Sequence, residues 1–302
     1  MTNYPLPSRI ACATCRRSLP VTPDNRAKAL SPTIVIENPW ERLRAFTDAR
    51  IGLGRAGVSL PTKQLLAFQL AHAQAQDAVH CPLECDALAS ELIETLSLSV
   101  PPIRLHSQAE DRAMYLQRPD YGRRLSDGSR QQLQQATESG QRFDLAVVIV
   151  DGLSALAVQQ NSAPFLTALH RAFAHDQNEW QLAPLTVVEQ GRVAIGDEVG
   201  ALLNADAVLV MIGERPGLSS PDSLGLYMTW APEVGLKDDR RNCISNVRPA
   251  GLKPEEAARR LLLLLAEARQ RKLSGVQLKD RSEDSVLEGA AGGSTQNFLV
   301  AD

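Results

Sequence analysis

The chain changes its hydrophobic rhythm once. Up to about residue 140, apolar positions recur every three or four residues, the spacing of helices that bury one face. From Asp144 onward apolar residues run on without alternation, as in strands covered on both sides.

In the first half the pattern predicts a helix over Glu37–Arg50. Asn38 can cap it, Pro39 suits its first turn, and Trp40, Leu43, Phe46 and Ala49 share one side. A second helix is expected over Leu60–His80, where Leu65, Leu66, Phe68, Leu70, Ala71 and Ala75 are apolar, and a third over Leu83–Leu96. Met114–Leu125 is punctuated by Pro119 and Gly122 and reads as a loop.

In the second half, strands are expected at Asp144–Val150, Leu185–Val188, Val208–Ile212 and Leu226–Trp230. Helices are expected at Ala155–Phe173 (despite Pro164), Gly196–Leu203 and Pro254–Arg271. Strand and helix in alternation predict a parallel α/β sheet. Ligands of such sheets sit in the crevice beyond the carboxyl ends of the strands. The run Ala207–Ile212 stops there at Gly213-Glu214-Arg215-Pro216, because Pro216 has no N–H for a ladder. Four segments follow: 1–36, an unpatterned tail; 37–140, mainly helical; 141–280, the α/β part; and 281–302, a Ser- and Gly-rich tail expected to be disordered.

Composition narrows the class. The 302 residues carry a net charge of −3 and 44% apolar content, those of an ordinary globular chain and not of a duplex-binding one. Leu261–Ala266, among the longest apolar runs, is far short of the roughly 20 residues of a membrane span, and no secretory signal pattern is visible. Five cysteines without such a signal suggest reduced thiols. Cys12, Cys15, Cys81 and Cys85 make a zinc site conceivable, but the second spacing is loose, so free thiols are expected.

Candidate chemistry is sparse. Gly52-Leu53-Gly54-Arg55-Ala56-Gly57 matches a dinucleotide fingerprint formally, with Asp77 about twenty residues on. A helical pattern precedes it where the motif requires a strand, so close backbone packing is the better reading. His72 and His80 are too far apart for a metal pair on one helix. Arg118, Arg123 and Arg124 could grip an anion, or form a solvated loop. Asp151, Glu214 and Cys243 are the chemical groups near strand ends or adjoining loops. Cys243 lacks an evident histidine partner, and no nucleophile elbow, Walker loop or H-E-x-x-H occurs. The residues by themselves lead to a small-molecule crevice and no further.

Six motifs in order then carry a resemblance: Gly54–Gly57, Arg118–Leu125, Val150–Ser154, Gly191–Val193, Gly213–Leu218 and Asn242–Asn246. Over about Asn38–Asp280 the chain resembles the small subunits of ethanolamine ammonia-lyase, the adenosylcobalamin-dependent lyase. The resemblance implies a helical N-terminal part and a Rossmann-like C-terminal domain. It implies a TIM-barrel large subunit that holds ethanolamine, and adenosylcobalamin held between the two chains. Val193, Glu214 and Cys243 correspond to the family's cofactor contacts in this subunit, with Cys243 placed in the loop before the last helix; no catalytic residue or metal ligand is expected here. No histidine has the Asp-x-His-x-x-Gly setting of enzymes that replace the cofactor's lower base, which implies base-on cobalamin. The implied location is cytoplasmic. Some relatives enter bacterial microcompartments, but the tail shows no amphipathic targeting helix. The alternatives are a nucleotide-dependent oxidoreductase using Gly52, Gly54 and Gly57, and a structural partner without a ligand.

Overall fold

The computed structural model describes residues 34–136, 140–176 and 178–279. The expectations for Cys12, Cys15 and the two tails therefore lie outside the described residues, apart from 34–36. The chain separates into two compact units.

The smaller unit takes in 34–46 and Arg50–Pro61. Strand β1 (Val35–Ile36) pairs antiparallel with β2 (Arg55–Ala56). Between them runs a 3-10 helix, Pro39–Ala45, and not the longer helix expected over Glu37–Arg50. Asn38 caps it as anticipated, accepting the Trp40 N–H at 3.0 Å, but none of its residues is buried. With no core under that face, apolar spacing alone does not extend the helix. Gly52 and Gly54 have positive φ, and a Cβ on either would strike backbone at 2.7 and 2.5 Å. Their glycines serve close packing, as read from the sequence.

The larger unit holds Thr47–Ala49 and everything from Thr62 onward. Helices α1 (Thr62–His80) and α2 (Cys85–Leu96) lead to a short strand, β3 (Ile103–His106). Then come α3 (Arg112–Gln117), a 3-10 turn (Tyr121–Arg123) and α4 (Asp127–Ala136), so the expected Met114–Leu125 loop is largely helical. Asp111 caps α3, accepting the Met114 N–H at 2.7 Å. The remaining elements are β4 (Phe143–Val150), α5 (Ala155–Ala174), β5 (Thr186–Glu189), α6 (Ile195–Leu202), β6 (Ala205–Gly213), β7 (Leu224–Trp230), β8 (Arg241–Val247) and α7 (Pro254–Arg271).

The chain is mixed α/β, with a six-stranded, mostly parallel sheet in the order β3-β5-β4-β6-β7-β8. The first four strands are parallel; β7 and β8 each pair antiparallel with the strand before. The expected fourth parallel strand, Leu226–Trp230, is thus antiparallel. Only residues 214–223 join β6 to β7, too short for the crossover a parallel neighbour needs. β4 shows why its sequence runs apolar throughout. Leu145, Val147 and Ile149 face a core shared with α2, α5 and α7, while Ala146, Val148 and Val150 face a second core under α4 and α6.

Candidate functional site at the carboxyl rim of the sheet

The chain leaves β4 for α5 on one face and leaves β5 for α6 on the other. The gap between the ends of β4 and β5 is therefore the point where strand order reverses, the usual ligand position of an open α/β sheet. Here a side chain occupies it. The Asp151 carboxylate, 2% exposed, accepts N–H groups from Gly152 (2.8 Å), Gln190 (3.0 Å) and Gly191 (3.1 Å). Burial pushes its pKa up to about 6, against the pull of Arg112 and those three amides.

Arg112 ties the same loops together. Its Nε donates to the Val79 carbonyl at 2.7 Å, and one Nη donates to the Gly152 carbonyl at 2.9 Å and Gln190 Oε1 at 3.3 Å. Tyr115 is fully buried between two guanidiniums, Arg112 at 4.7 Å and Arg192 at 4.1 Å from its ring centre. Asp151 is therefore an organising group of the rim and not a free acid.

Glu214, directly after β6, anchors the antiparallel half. Its carboxylate accepts from the hydroxyls of Ser223 and Ser245 (the latter at 2.6 Å) and from the Asn246 N–H at 3.3 Å. Its own N–H donates to the Ser223 carbonyl at 2.9 Å. Gly225 leaves the space: a Cβ there would come within 2.9 Å of Glu214 Oε1 and 3.1 Å of the Tyr227 ring. Cys243 is not in a loop, as expected, but in β8, where its backbone is the partner of Tyr227. The segment Arg241–Val247 is a strand because β7 supplies a ladder that no local signal announces. The Tyr227 side chain acts on the Cys243 thiol from the neighbouring strand position and holds its pKa down. Desolvation pushes the Cys243 thiol up and Glu214 adds to this, although the Tyr227 hydrogen bond opposes them. An exposed thiol so shifted is a poor nucleophile.

Val193 lies in the turn from β5 into α6; its carbonyl accepts the Gly196 N–H at 3.1 Å and its side chain packs on the α6 core. Val210, which pairs with Tyr227, lies under α6, so Tyr227 and Cys243 lie on the α6 side of the sheet too. Glu214 and Cys243 are neighbours there through Tyr227 and Ser245. Val193 is at the same rim, beyond β4. Arg118 and Arg124 do not form the anion grip envisaged with Arg123. Arg118 pairs with Asp120 at 2.8 Å, and Arg124 with the buried Glu198 of α6 at 3.0 Å. Burial would raise the Glu198 pKa, but Arg124, the Leu125 amide and Arg130 hold its carboxyl below the usual range.

The sequence reading missed Arg112, Tyr115, Ser223 and Tyr227. Arg112 precedes the motif stretch, and a serine or tyrosine in a polar loop or edge strand carries no pattern of its own. Ser245 was legible, since it lies inside the Asn242–Asn246 motif. Among the described residues no group of three or more His, Cys, Asp or Glu side chains could hold a metal ion.

An acceptor such as the Glu214 carboxylate fits a ligand that offers an amide or hydroxyl donor. A carboxylate with about four acceptor positions uses three on its own chain. The exposed positions of β8, Cys243 and Ser245, lie beside it.

Residues 37–279 match the family described as "Ethanolamine ammonia-lyase light chain (EutC)". The chain is 55% identical over 273 residues to a Pseudomonas fluorescens (strain Pf0-1) protein named "Ethanolamine ammonia-lyase small subunit", covering 89% of this chain and 97% of that one. A protein of the same name from Pseudomonas aeruginosa (strain UCBPP-PA14) is 56% identical over 273 residues, again 89% and 97%. One from Xanthomonas campestris pv. campestris (strain B100) is 54% identical over 275 residues, 90% and 99%.

Proposed function

The chain belongs to the family of ethanolamine ammonia-lyase light chains, and from that premise we propose that it helps hold adenosylcobalamin at an interface with a TIM-barrel large subunit. It is the small subunit of a lyase. The reaction assigned to the assembly is the radical conversion of ethanolamine to acetaldehyde and ammonia. The cofactor, when bound, supplies the radical by homolysis of its cobalt–carbon bond. The substrate site belongs to the large subunit.

On this reading Glu214 uses its remaining acceptor capacity on an amide or hydroxyl of the cofactor periphery. Val193 and Cys243 contribute packing and backbone groups. Asp151 and Arg112 hold the Gln190–Val193 turn so that its backbone keeps one position. At a partly dry interface each polar group left unpaired costs about 1–3 kcal/mol, so a preformed carboxylate anchor matters more than surface area. The 141–280 segment is assigned as a Rossmann-like cobalamin-binding domain, 37–140 as a mainly helical part before it, and the assembly to the cytoplasm.

The observation that carries the reading is the convergence of Glu214, Tyr227 and Cys243 beside Gly225, on the rim where Val193 also lies. Co-expressed with a tagged large chain, the protein should co-elute with red cobalamin in gel filtration, and Glu214→Ala should lower the cobalamin retained about tenfold. A complex that forms but retains cobalamin equally well with Glu214→Ala sinks the site assignment.

A further inference from the structure

Strand β8 carries one residue more than its neighbour. Leu226 of β7 pairs with Ile244 and Leu224 with Val247, so Ser245 and Asn246 together stand opposite the single Gly225. Such a bulge takes residues out of the regular alternation of a strand and re-aims them. Here both bulge residues reach one carboxylate. The Ser245 hydroxyl donates to Glu214 Oε1 at 2.6 Å, and the Asn246 N–H donates to Oε2 at 3.3 Å.

Asn246 is exposed, yet it is held from several sides. Its φ is 62°, in the left-handed region that Asn and Asp enter more readily than most residues with a side chain. Its carbonyl accepts the Leu252 N–H at 2.8 Å. Gly251 makes the room: a Cβ there would come within 2.4 Å of the Asn246 carbonyl oxygen and 2.7 Å of Nδ2. The buried Arg248 donates from Nε to Asn246 Oδ1 at 2.8 Å. A guanidinium only donates, so that bond fixes which end of the amide is the oxygen. The other end, Nδ2, is a donor with no partner among the described residues.

Glu214 accepts three bonds from its own chain and keeps capacity for one more donor. Linked by a hydrogen bond, the two residues therefore offer an acceptor and a donor together. A primary carboxamide is the complement, since it carries an N–H and a C=O on one planar group. We propose that Glu214 and Asn246 are a recognition pair for a primary carboxamide, in which Asn246 Nδ2 donates to its carbonyl and Glu214 accepts its N–H. Asn246 is then a specificity-determining residue of this subunit. The inference rests on the proposed function, in which that carboxamide belongs to the periphery of adenosylcobalamin.

The co-expressed complex tests it, with retained cobalamin read by absorbance after gel filtration and folding checked by melting temperature. Asn246→Asp keeps an acceptor for Arg248 and a residue suited to the left-handed turn, but replaces the donor with a second acceptor. Retention should fall about tenfold. Asn246→Gly keeps the turn and removes the amide; it should lose about fivefold, where a role confined to the backbone turn predicts no loss. Asn246→Asp combined with Glu214→Gln exchanges donor and acceptor. A carboxamide can turn over to meet them, so the double variant should return to within about threefold of wild type. A second probe is cobalamin in which single carboxamides have been hydrolysed to carboxylates. The wild-type complex should exclude at least one of these isomers, identified by chromatography of the released corrinoids, and Glu214→Gln should retain it, because the new amide donates where a carboxylate repels. Full retention with Asn246→Asp, no recovery in the double variant, or equal retention of every isomer overturns the proposal. A wild-type complex that keeps no cobalamin defeats the proposed function and this inference with it, an outcome distinct from a complex that holds cobalamin and ignores Asn246.

Discussion

Arg241 of β8 grips Asp197 of α6 in a bidentate pair, at 2.6 and 2.8 Å, with both side chains almost wholly buried. The guanidinium crosses above β7 to reach the helix, and Thr229, the Leu236 carbonyl and Asp238 accept its remaining bonds at 3.2, 3.0 and 3.3 Å. The next residue on α6, Glu198, is held by Arg124 and Arg130. Two adjacent acids thus fix α6 to the last strand and to the α3–α4 layer, and α6 carries the turn containing Val193.

Breaking that pair from one side should be expensive. Arg241→Ala leaves a buried carboxylate without its cation, and unfolding in urea should show a loss of about 3–5 kcal/mol. The double variant Asp197→Leu with Arg241→Met should recover most of it, because it removes the stranded charge. Equal losses for the single and double variants would mean that the pair's charges are not what stabilises this contact.

Asp151 should make stability depend on pH in an unusual direction. Its folded pKa, about 6, lies above the unfolded carboxylate value, so between about pH 4 and about pH 6 the folded state binds the proton more tightly. The group contributes stability that is complete below about pH 4 and lost as pH rises through about 6. The full shift corresponds to about 3 kcal/mol, at roughly 1.4 kcal/mol for each pH unit. Urea midpoints followed from pH 4 to about 7 should show this fall for the wild type, and Asp151→Asn should flatten it. Parallel profiles for the two proteins would refute the assignment.

Gly213 sets the position of Glu214. A Cβ there would meet the Ser154 carbonyl oxygen at 2.0 Å and that of Asp151 at 2.6 Å, both backbone atoms with little room to move. Gly213→Ala should therefore cost roughly 1–3 kcal/mol in thermal unfolding and shift the end of β6. Cobalamin retention in the complex should fall as well. An unchanged melting temperature would show that the rim yields more readily than its packing implies.

Thiol chemistry separates the cysteines. Burial pushes Cys85 up to about 12, and Cys243 is raised as well, so both should alkylate slowly near neutral pH compared with an ordinary thiol. Since the Tyr227 hydroxyl lowers the Cys243 pKa, Tyr227→Phe should slow its alkylation further. Faster labelling of Cys243 in that variant would show the hydroxyl acting as a shield and not as a donor.

Much of the parallel half was legible in the sequence. The unbroken run from Leu145 to Val150 has no polar position because both faces of β4 are covered, and a segment's own composition records that burial. Strand β8 left no such record: Asn242, Cys243, Ser245 and Asn246 are not buried, since β8 is the edge strand of the sheet. Strand β3, only four residues long and directly after Pro101-Pro102, and the polar helix α4 were missed for related reasons. Their states come from neighbours β5 and α6, far along the chain.

By itself the sequence determined where the chain is buried, where the strands end and that Glu214 stands at such an end, because hydrophobic period and proline act locally. Only the tertiary structure decided that β7 and β8 turn back antiparallel, that Asp151 fills the switch point, and that Cys243 meets Tyr227 beside Glu214. Those outcomes depend on strand order and on contacts between residues dozens of positions apart, which no periodicity encodes.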